Sequence, residues 1–290
     1  MRFSRLIWLA LIAAVLGGAV GLWITRPNRM DPANYAGLTG VPSKGELVFH
    51  AAGCHSCHGS ETDKDQLALV GGQAFPSDFG TFYAPNISSD PLHGIGAWSL
   101  MDFANALQAG VSPEGKHYYP AFPYTNYARM TPQDVVDLWS YILLMPASPT
   151  PSKAHDVGFP FNIRRGLGVW KQLYMDDSWI VENPASERGR YLVEALAHCG
   201  ECHTPRNALG GIDRSKWLEG APNPSGRGNI PAITSSELGW EEVDIAYYLL
   251  EGFTPDFDSV GGHMVPVVEN MARLPESDRQ AIAAYLSALP

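Results

Sequence analysis

The apolar positions of this chain fall into one uninterrupted run and several short helical periods. From residue 6 to residue 25 (LIWLALIAAVLGGAVGLWIT) twenty residues pass without a charge. As a helix the run is about 30 Å long, the thickness of a bilayer's hydrocarbon core. Arg2 and Arg5 precede it and Arg26 and Arg29 follow, so the flanking charges do not set an orientation by themselves. The run is longer than the apolar stretch of a cleaved export signal, and no clean A-x-A site follows it. A retained anchor is therefore the expectation, with a cleaved signal as the alternative. Either sends the rest of the chain across a membrane.

Beyond the run, apolar residues recur at i, i+3 and i+4 over 102–109, 135–144, 243–250 and 282–289, which predicts amphipathic helices. Thr131-Pro132 and Pro275-Glu276 have the chemistry of helix starts. No sustained alternation predicts a sheet. Proline and glycine punctuate 26–43, and Pro146, Pro149, Pro151 and Pro160 cluster further on. The pattern predicts an all-α chain with long loops: an N-terminal anchor or signal over 1–30, a first domain over 31–150, a linker over 151–180 and a second domain over 181–290.

The two bodies repeat one another. Gly45 stands nine residues before Cys54, and Gly189 ten before Cys199. Asn86-Ile87 is read against Asn229-Ile230, Trp98 to Asp102 against Trp240 to Asp244, and Gly110 against Gly252. Asp134 and Tyr141 match Asp278 and Tyr285 in the closing helices. The same order at nearly the same spacing points to a duplicated domain.

Charge narrows the partners. The formal net charge is −10, and the first thirty residues hold four arginines and no acid, so the remainder carries −14. A nucleic-acid binder would show a basic stripe, and none is visible. A basic protein surface would be attracted to this body, less so in salt.

The four cysteines carry the chemistry. They form two C-x-x-C-H motifs, Cys54-His55-Ser56-Cys57-His58 and Cys199-Gly200-Glu201-Cys202-His203. This is the attachment signature of c-type haem: two thiols bond the porphyrin's vinyl edge, and the following histidine ligates the iron. Two motifs use all four thiols, implying two covalently bound haem c groups. Zinc would bring its cysteine pairs 12–20 residues apart, whereas these lie 145 apart. A redox C-x-x-C would sit in a βαβ context, which the pattern lacks.

Each iron needs a second axial ligand. In the second body Met264 is the leading candidate, with Met271 and His263 behind it. In the first, position 122 suits a ligand methionine but is Phe122, which leaves Met130, with His117 as the runner-up. The metal ligands expected are thus His58, Met130, His203 and Met264. Tyr118, Tyr119, Tyr124 and Tyr127 are expected to wall the first haem. Trp98 and Trp240 are expected to pack on a haem or a neighbouring helix. No residue is assigned a catalytic role.

Several longer stretches carry a resemblance. They include Gly80-Thr81-Phe82-Tyr83-Ala84-Pro85-Asn86-Ile87, Gly94-Ile95-Gly96-Ala97-Trp98-Ser99 and Tyr119-Pro120-Ala121-Phe122-Pro123-Tyr124. Phe159-Pro160-Phe161-Asn162 and Cys202-His203-Thr204-Pro205-Arg206-Asn207 continue them. Over roughly residues 40–290 the chain resembles the membrane-associated multihaem cytochrome c subunits of bacterial periplasmic alcohol, aldehyde and gluconate dehydrogenases. The resemblance implies an electron-transfer subunit on the periplasmic side of the inner membrane, or free in the periplasm if the leader is cleaved. It implies a dehydrogenase as donor and a quinone, an oxidase or another cytochrome as acceptor. It also places the family's methionine ligands on Met130 and Met264. Many members carry three haem motifs and this chain two, which separates it from their quinone chemistry. The alternative is a dihaem redox enzyme such as a peroxidase or a thiosulfate oxidoreductase.

Overall fold

The computed structural model describes residues 2–60, 67–223 and 228–290. Helix α1 (Arg2–Ile24) stands clear of the rest, and its apolar span is not buried in the protein. Only its last turn is held. His117 Nε2 donates to the Thr25 carbonyl (2.9 Å), and Arg165 donates to Thr25 Oγ1 (2.9 Å) and to the Leu22 carbonyl. These side chains satisfy carbonyls that a helix end leaves without partners.

The first half follows as α2 (Pro42–Ala51), α3 (Cys54–His58), strands β1 (Ala74–Ser77) and β2 (Gly80–Tyr83), and helices α4 (Leu100–Ala109), α5 (Tyr124–Tyr127) and α6 (Pro132–Ile142). Helix α7 (Leu167–Tyr174) lies between the halves. The second half runs α8 (Glu187–Arg190), a π-helical turn (Tyr191–Leu196), α9 (Gly200–His203), strands β3 (Ala221–Pro222) and β4 (Asn229–Ile230), and α10 (Ser235–Leu238). It closes with α11 (Glu242–Glu251), α12 (Val265–Met271) and α13 (Glu276–Ser287).

Local chemistry explains the helix ends. Ser99 and Asp102 form a capping box on α4, and Glu241 and Asp244 form one on α11. Gly110 and Gly252 end those two helices in the left-handed conformation. Thr131 caps α6 with Pro132 in its first turn. The expectation of no sheet needs correcting at two places: β1 pairs with β2 and β3 with β4 as short antiparallel ribbons. With two to four residues per strand, neither is long enough to leave a period in the sequence.

In each half the helix before the cysteines crosses the closing helix, α2 on α6 and α8 on α13. Glycine permits the approach. A Cβ on Gly45 would lie 2.0 Å from the Asp137 carbonyl oxygen, and one on Gly189 would lie 1.9 Å from that of Ala281. Tyr141 and Tyr285 meet these glycines in matching fashion. The second half spends one more residue between glycine and cysteine, and there the chain makes the π turn, which absorbs it within the helix.

The halves pack by exchange of matching contacts. Asn126, eight residues before Asp134, donates to the Glu194 carbonyl (3.0 Å). Asn270, eight before Asp278, donates to Ser56 Oγ (2.8 Å) and accepts from His50 Nδ1 (3.2 Å). His50 and Glu194 each lie five residues after their glycine, so the interface has the reciprocal character of a twofold arrangement. Residues 151–180, expected as a linker, form a packed strap. Asp156 pairs with Thr81, Lys171 donates to the Ala109 (2.5 Å) and Gly110 (2.8 Å) carbonyls, and Trp170 donates to the Leu209 carbonyl (2.9 Å). The Ser178 carbonyl accepts from Arg129 of the first half and Arg214 of the second.

Candidate haem-attachment sites

Each C-x-x-C-H motif occupies a single helical turn, so its two thiols project from one edge, three residues apart. The residue before the first cysteine is left-handed in both halves, Gly53 at φ 60° and His198 at φ 42°. All four thiols are free. Burial pushes Cys54 and Cys199 up to about 12 and Cys57 up to about 11, so they remain neutral thiols. A redox-active dithiol needs a depressed value, which burial opposes here.

The histidines are oriented alike. His58 Nδ1 donates to the Pro85 carbonyl (2.8 Å) and His203 Nδ1 to that of Pro231 (2.7 Å). That bond fixes the tautomer and leaves Nε2 as the free, basic nitrogen an iron requires. Desolvation lowers both histidine pKa values, which keeps the rings neutral and able to ligate. Free paired thiols and an oriented imidazole are the donor set of a covalently attached haem, and the residues present fit that group.

The backbone around these histidines corrects the repeat alignment. Gly71 donates to the His58 carbonyl and Gly220 to that of His203, while Ile87 donates to Leu69 and Ile233 to Leu218. Pro85-Asn86-Ile87 therefore corresponds to Pro231-Ala232-Ile233. The Asn-Ile match at 229–230 is a coincidence of two letters, three residues out of register. The spacing from histidine to proline, 27 and 28 residues, was the signal that could have found it.

Cys57 lies within electrostatic range of Cys202 of the other half, whose charge would add to burial in raising the Cys57 thiol. His198 meets the Tyr127 ring edge-on at 5.7 Å and donates to the Ala52 carbonyl (3.4 Å), which also accepts from the Tyr127 hydroxyl (3.2 Å).

The axial candidates lie in unlike places. Met130 is buried immediately before α6, and its carbonyl accepts from Gln108 (2.9 Å). Its match before α13 is Leu274, which has no donor atom. Met264 is half-buried in a 3-10 turn leading into α12, with His263 beside it, and Met271 is buried on α12. His117 donates from Nε2 to the Thr25 carbonyl at the end of α1, and its Nδ1 is buried without a hydrogen-bond partner. Of the four tyrosines, Tyr127 stays beside the first cysteines. Tyr119 turns to Phe82 and His155, and Tyr124 to Trp170 and the Lys171 ammonium, 4.5 Å above its ring.

Glu194, on the π turn, was not anticipated. Fully buried, it accepts from the Ile180 (2.7 Å) and Val181 (3.1 Å) amides and from the Tyr285 hydroxyl (2.8 Å). Tyr285 in turn accepts from Trp217 Nε1 (3.0 Å), whose ring packs on Gly200 within the second motif. The extra residue between Gly189 and Cys199 was the sequence's trace of this network.

Comparison with known proteins settles the family. A cytochrome c family profile matches residues 42–146, from the start of α2 to just beyond α6. A "Diheme cytochrome c-type" protein of Cereibacter sphaeroides is 55% identical over 295 aligned positions, covering 100% of this chain and 99% of that one. The chain belongs to the c-type cytochromes. It is also 38% identical to the "Fructose dehydrogenase cytochrome subunit" of Gluconobacter japonicus, over 86% of this chain and 52% of that one. With the "Alcohol dehydrogenase (quinone), cytochrome c subunit" of Gluconobacter oxydans it shares 33% identity, over 85% and 54% respectively. The chain thus spans about half the length of those two subunits. Its function is electron transfer, and these relatives give no support to the alternative of a peroxidase or thiosulfate oxidoreductase.

Proposed function

We propose that this cytochrome is a two-haem relay, anchored by α1 at the periplasmic face of the inner membrane, that accepts electrons from a periplasmic dehydrogenase and passes them toward the respiratory chain. The haems supply the one-electron iron couple, and the protein holds, buries and orients them. Cys54, Cys57 and His58 hold one in a cytochrome domain over 31–150. Cys199, Cys202 and His203 hold the other in a second domain over 181–290. The observation carrying the relay is the nearness of Cys57 to Cys202. Thioethers at these sulfurs would bring two vinyl edges together, and electron transfer favours short separations between macrocycles.

For the axial ligands we infer Met130 and Met264. Phe122 has no donor, and Met130 is buried just before α6 against the first-half core, which supports Met130 over His117, whose ring is tied through Nε2 to the end of α1. Leu274 cannot ligate in the second, so that half must use another segment, and Met264 lies in the turn before α12. For the anchor, the support is the fixed last turn of α1, capped by His117 and Arg165. The dehydrogenase donor is carried over from the fructose and alcohol dehydrogenase subunits.

The test is the intact mass and haem stain of the full chain, matured in a host competent for haem ligation. Wild type should carry two haems. The Cys54→Ala/Cys57→Ala and Cys199→Ala/Cys202→Ala variants should each carry one. A wild-type mass with a single porphyrin would reject the relay. Reduction of the purified protein by a periplasmic dehydrogenase in the presence of that enzyme's substrate tests the donor.

A further inference from the structure

The strap between the halves has a largely exposed outer face, on which Phe161 also meets the Phe79 ring of the first half edge-on at 5.0 Å. Phe159 (81% exposed), Phe161 (46%), Ile163 (53%), Val169 (47%) and Leu173 (62%) all lie within fifteen residues of chain. On α7 the inward positions are Gly168 and Lys171, both buried, while Val169 and Leu173 point outward four residues apart. Between Asp156 and Asp176 the strap has no acid, and its half-buried cations are Arg164 and Arg165, Lys171 being turned inward.

This face adjoins the end of the apolar helix. Arg165 reaches the Leu22 carbonyl, inside the uncovered apolar span, and Thr25 Oγ1 just beyond it. A Cβ on Gly168 would lie 2.5 Å from the Thr25 carbonyl oxygen, so α7 begins in backbone contact with the end of α1. Trp23, 64% exposed with the Arg26 guanidinium 5.2 Å from its ring, marks the same level with an interfacial aromatic and a cation. A segment touching this level lies at headgroup depth when α1 spans a bilayer.

We propose that residues 159–173 form a second membrane contact, in which the exposed phenylalanine, isoleucine, valine and leucine side chains enter the headgroup–acyl boundary and Arg164 faces anionic lipid. The proposal rests on the reading of α1 as a retained anchor. Two attachments, a span and an adjoining apolar face, hold the body at one angle to the membrane, whereas a single helix leaves it free to swing. Asp156 and Asp176 flank the stretch, the first in the bridge to Thr81 and the second paired with Arg214, and Glu114 lines an open cavity of about 590 Å³ with Lys116 and Arg164, where it accepts from the Ser112 hydroxyl (2.7 Å). It is countered by those two cations.

The experiment uses the full haem-loaded chain in bilayers of phosphatidylcholine with and without phosphatidylglycerol. These contain a phospholipid with a photoreactive diazirine near the headgroup, and adducts are mapped by mass spectrometry. Adducts are expected on α1 and on 159–173. Labelling of 159–173 should exceed that of the peptide holding Phe257 (89% exposed, in the second half) several-fold, and should rise with phosphatidylglycerol. The Phe159→Ser/Phe161→Ser/Ile163→Ser variant should lose the strap labelling several-fold while keeping that of α1 and an unchanged haem spectrum. Labelling of α1 alone overturns the second contact and leaves the anchor standing. A mature chain lacking α1, or one with no adducts on it, overturns the anchor itself. Equal labelling of the strap and the Phe257 peptide also overturns the proposal.

Discussion

The sharpest test of the fold is to add one carbon atom at Gly189. In the structure an alanine Cβ there would stand 1.9 Å from the Ala281 carbonyl oxygen, 2.8 Å from its carbon and 2.7 Å from Tyr285 Cβ. Comfortable heavy-atom contacts lie near 3.5 Å, so α8 and α13 must part by roughly 1–1.5 Å. Two of the three clashing atoms are backbone, and no rotamer relieves them. A gap of that size forfeits a large part of the dispersion attraction along the crossing. It also stretches the bidentate Arg188–Asp278 pair (2.9 and 2.7 Å), which ties the same two helices. Overpacking of this kind costs about 1–3 kcal/mol, and here the upper end applies. Helix propensity works the other way, favouring alanine by about 1 kcal/mol at most. Gly189→Ala should therefore lose about 2 kcal/mol net, read as a lower denaturant midpoint at unchanged slope. Gly45→Ala, with its 2.0 Å clash, should behave alike, and Gly158→Ala, with nothing within 4 Å, should shift stability by less than about 0.5 kcal/mol. A Gly189→Ala protein as stable as wild type would refute the crossing geometry in both halves.

Other consequences can be checked independently. Tyr285→Phe deletes the hydroxyl between Trp217 and Glu194 and strands a buried indole N–H, so stability should fall by about 1–3 kcal/mol in chemical unfolding. Burial lowers the Lys171 pKa to about 7, so above that pH the folded state binds fewer protons than the unfolded chain. Stability should consequently rise with pH from about 7 toward the unfolded lysine value near 10.4, and Lys171→Met should flatten that rise when melts are compared at several pH values. Met130→Leu and Met264→Leu should each remove part of the long-wavelength methionine–iron absorption of the oxidised protein, and retention of the full band in both would reject these ligands.

The local sequence specified features whose chemistry is local. The C-x-x-C-H motifs became single helical turns because their spacing is one turn. Thr131-Pro132 started α6 because a hydroxyl cap and a proline suit a helix's first turn. Twenty uncharged residues made a helix whose apolar span none of the described residues buries. The repeated order of glycine, aspartate and tyrosine reappears in matching crossings and caps, since a close approach, a capping carboxylate and a left-handed turn admit few substitutes.

Features set by groups far apart in the chain were not legible. The Asn-Ile pairing failed because the true correspondence is carried by proline carbonyls that accept from imidazoles, of which the sequence holds only the 27- and 28-residue spacing from histidine to proline. Nothing near His117 in the sequence announces that folding brings Thr25, 92 residues away, against its Nε2. The strap looked like a linker because prolines punctuate it, yet Lys171, Trp170 and Ser178 tie it to both halves through backbone carbonyls any sequence would offer. The nearness of Cys57 to Cys202 accompanies the reciprocal Asn126 and Asn270 contacts between the halves, and reciprocity belongs to packed surfaces. Residue identities could say that the chain offers two C-x-x-C-H motifs; only the docking of the halves decides how near those motifs lie to each other.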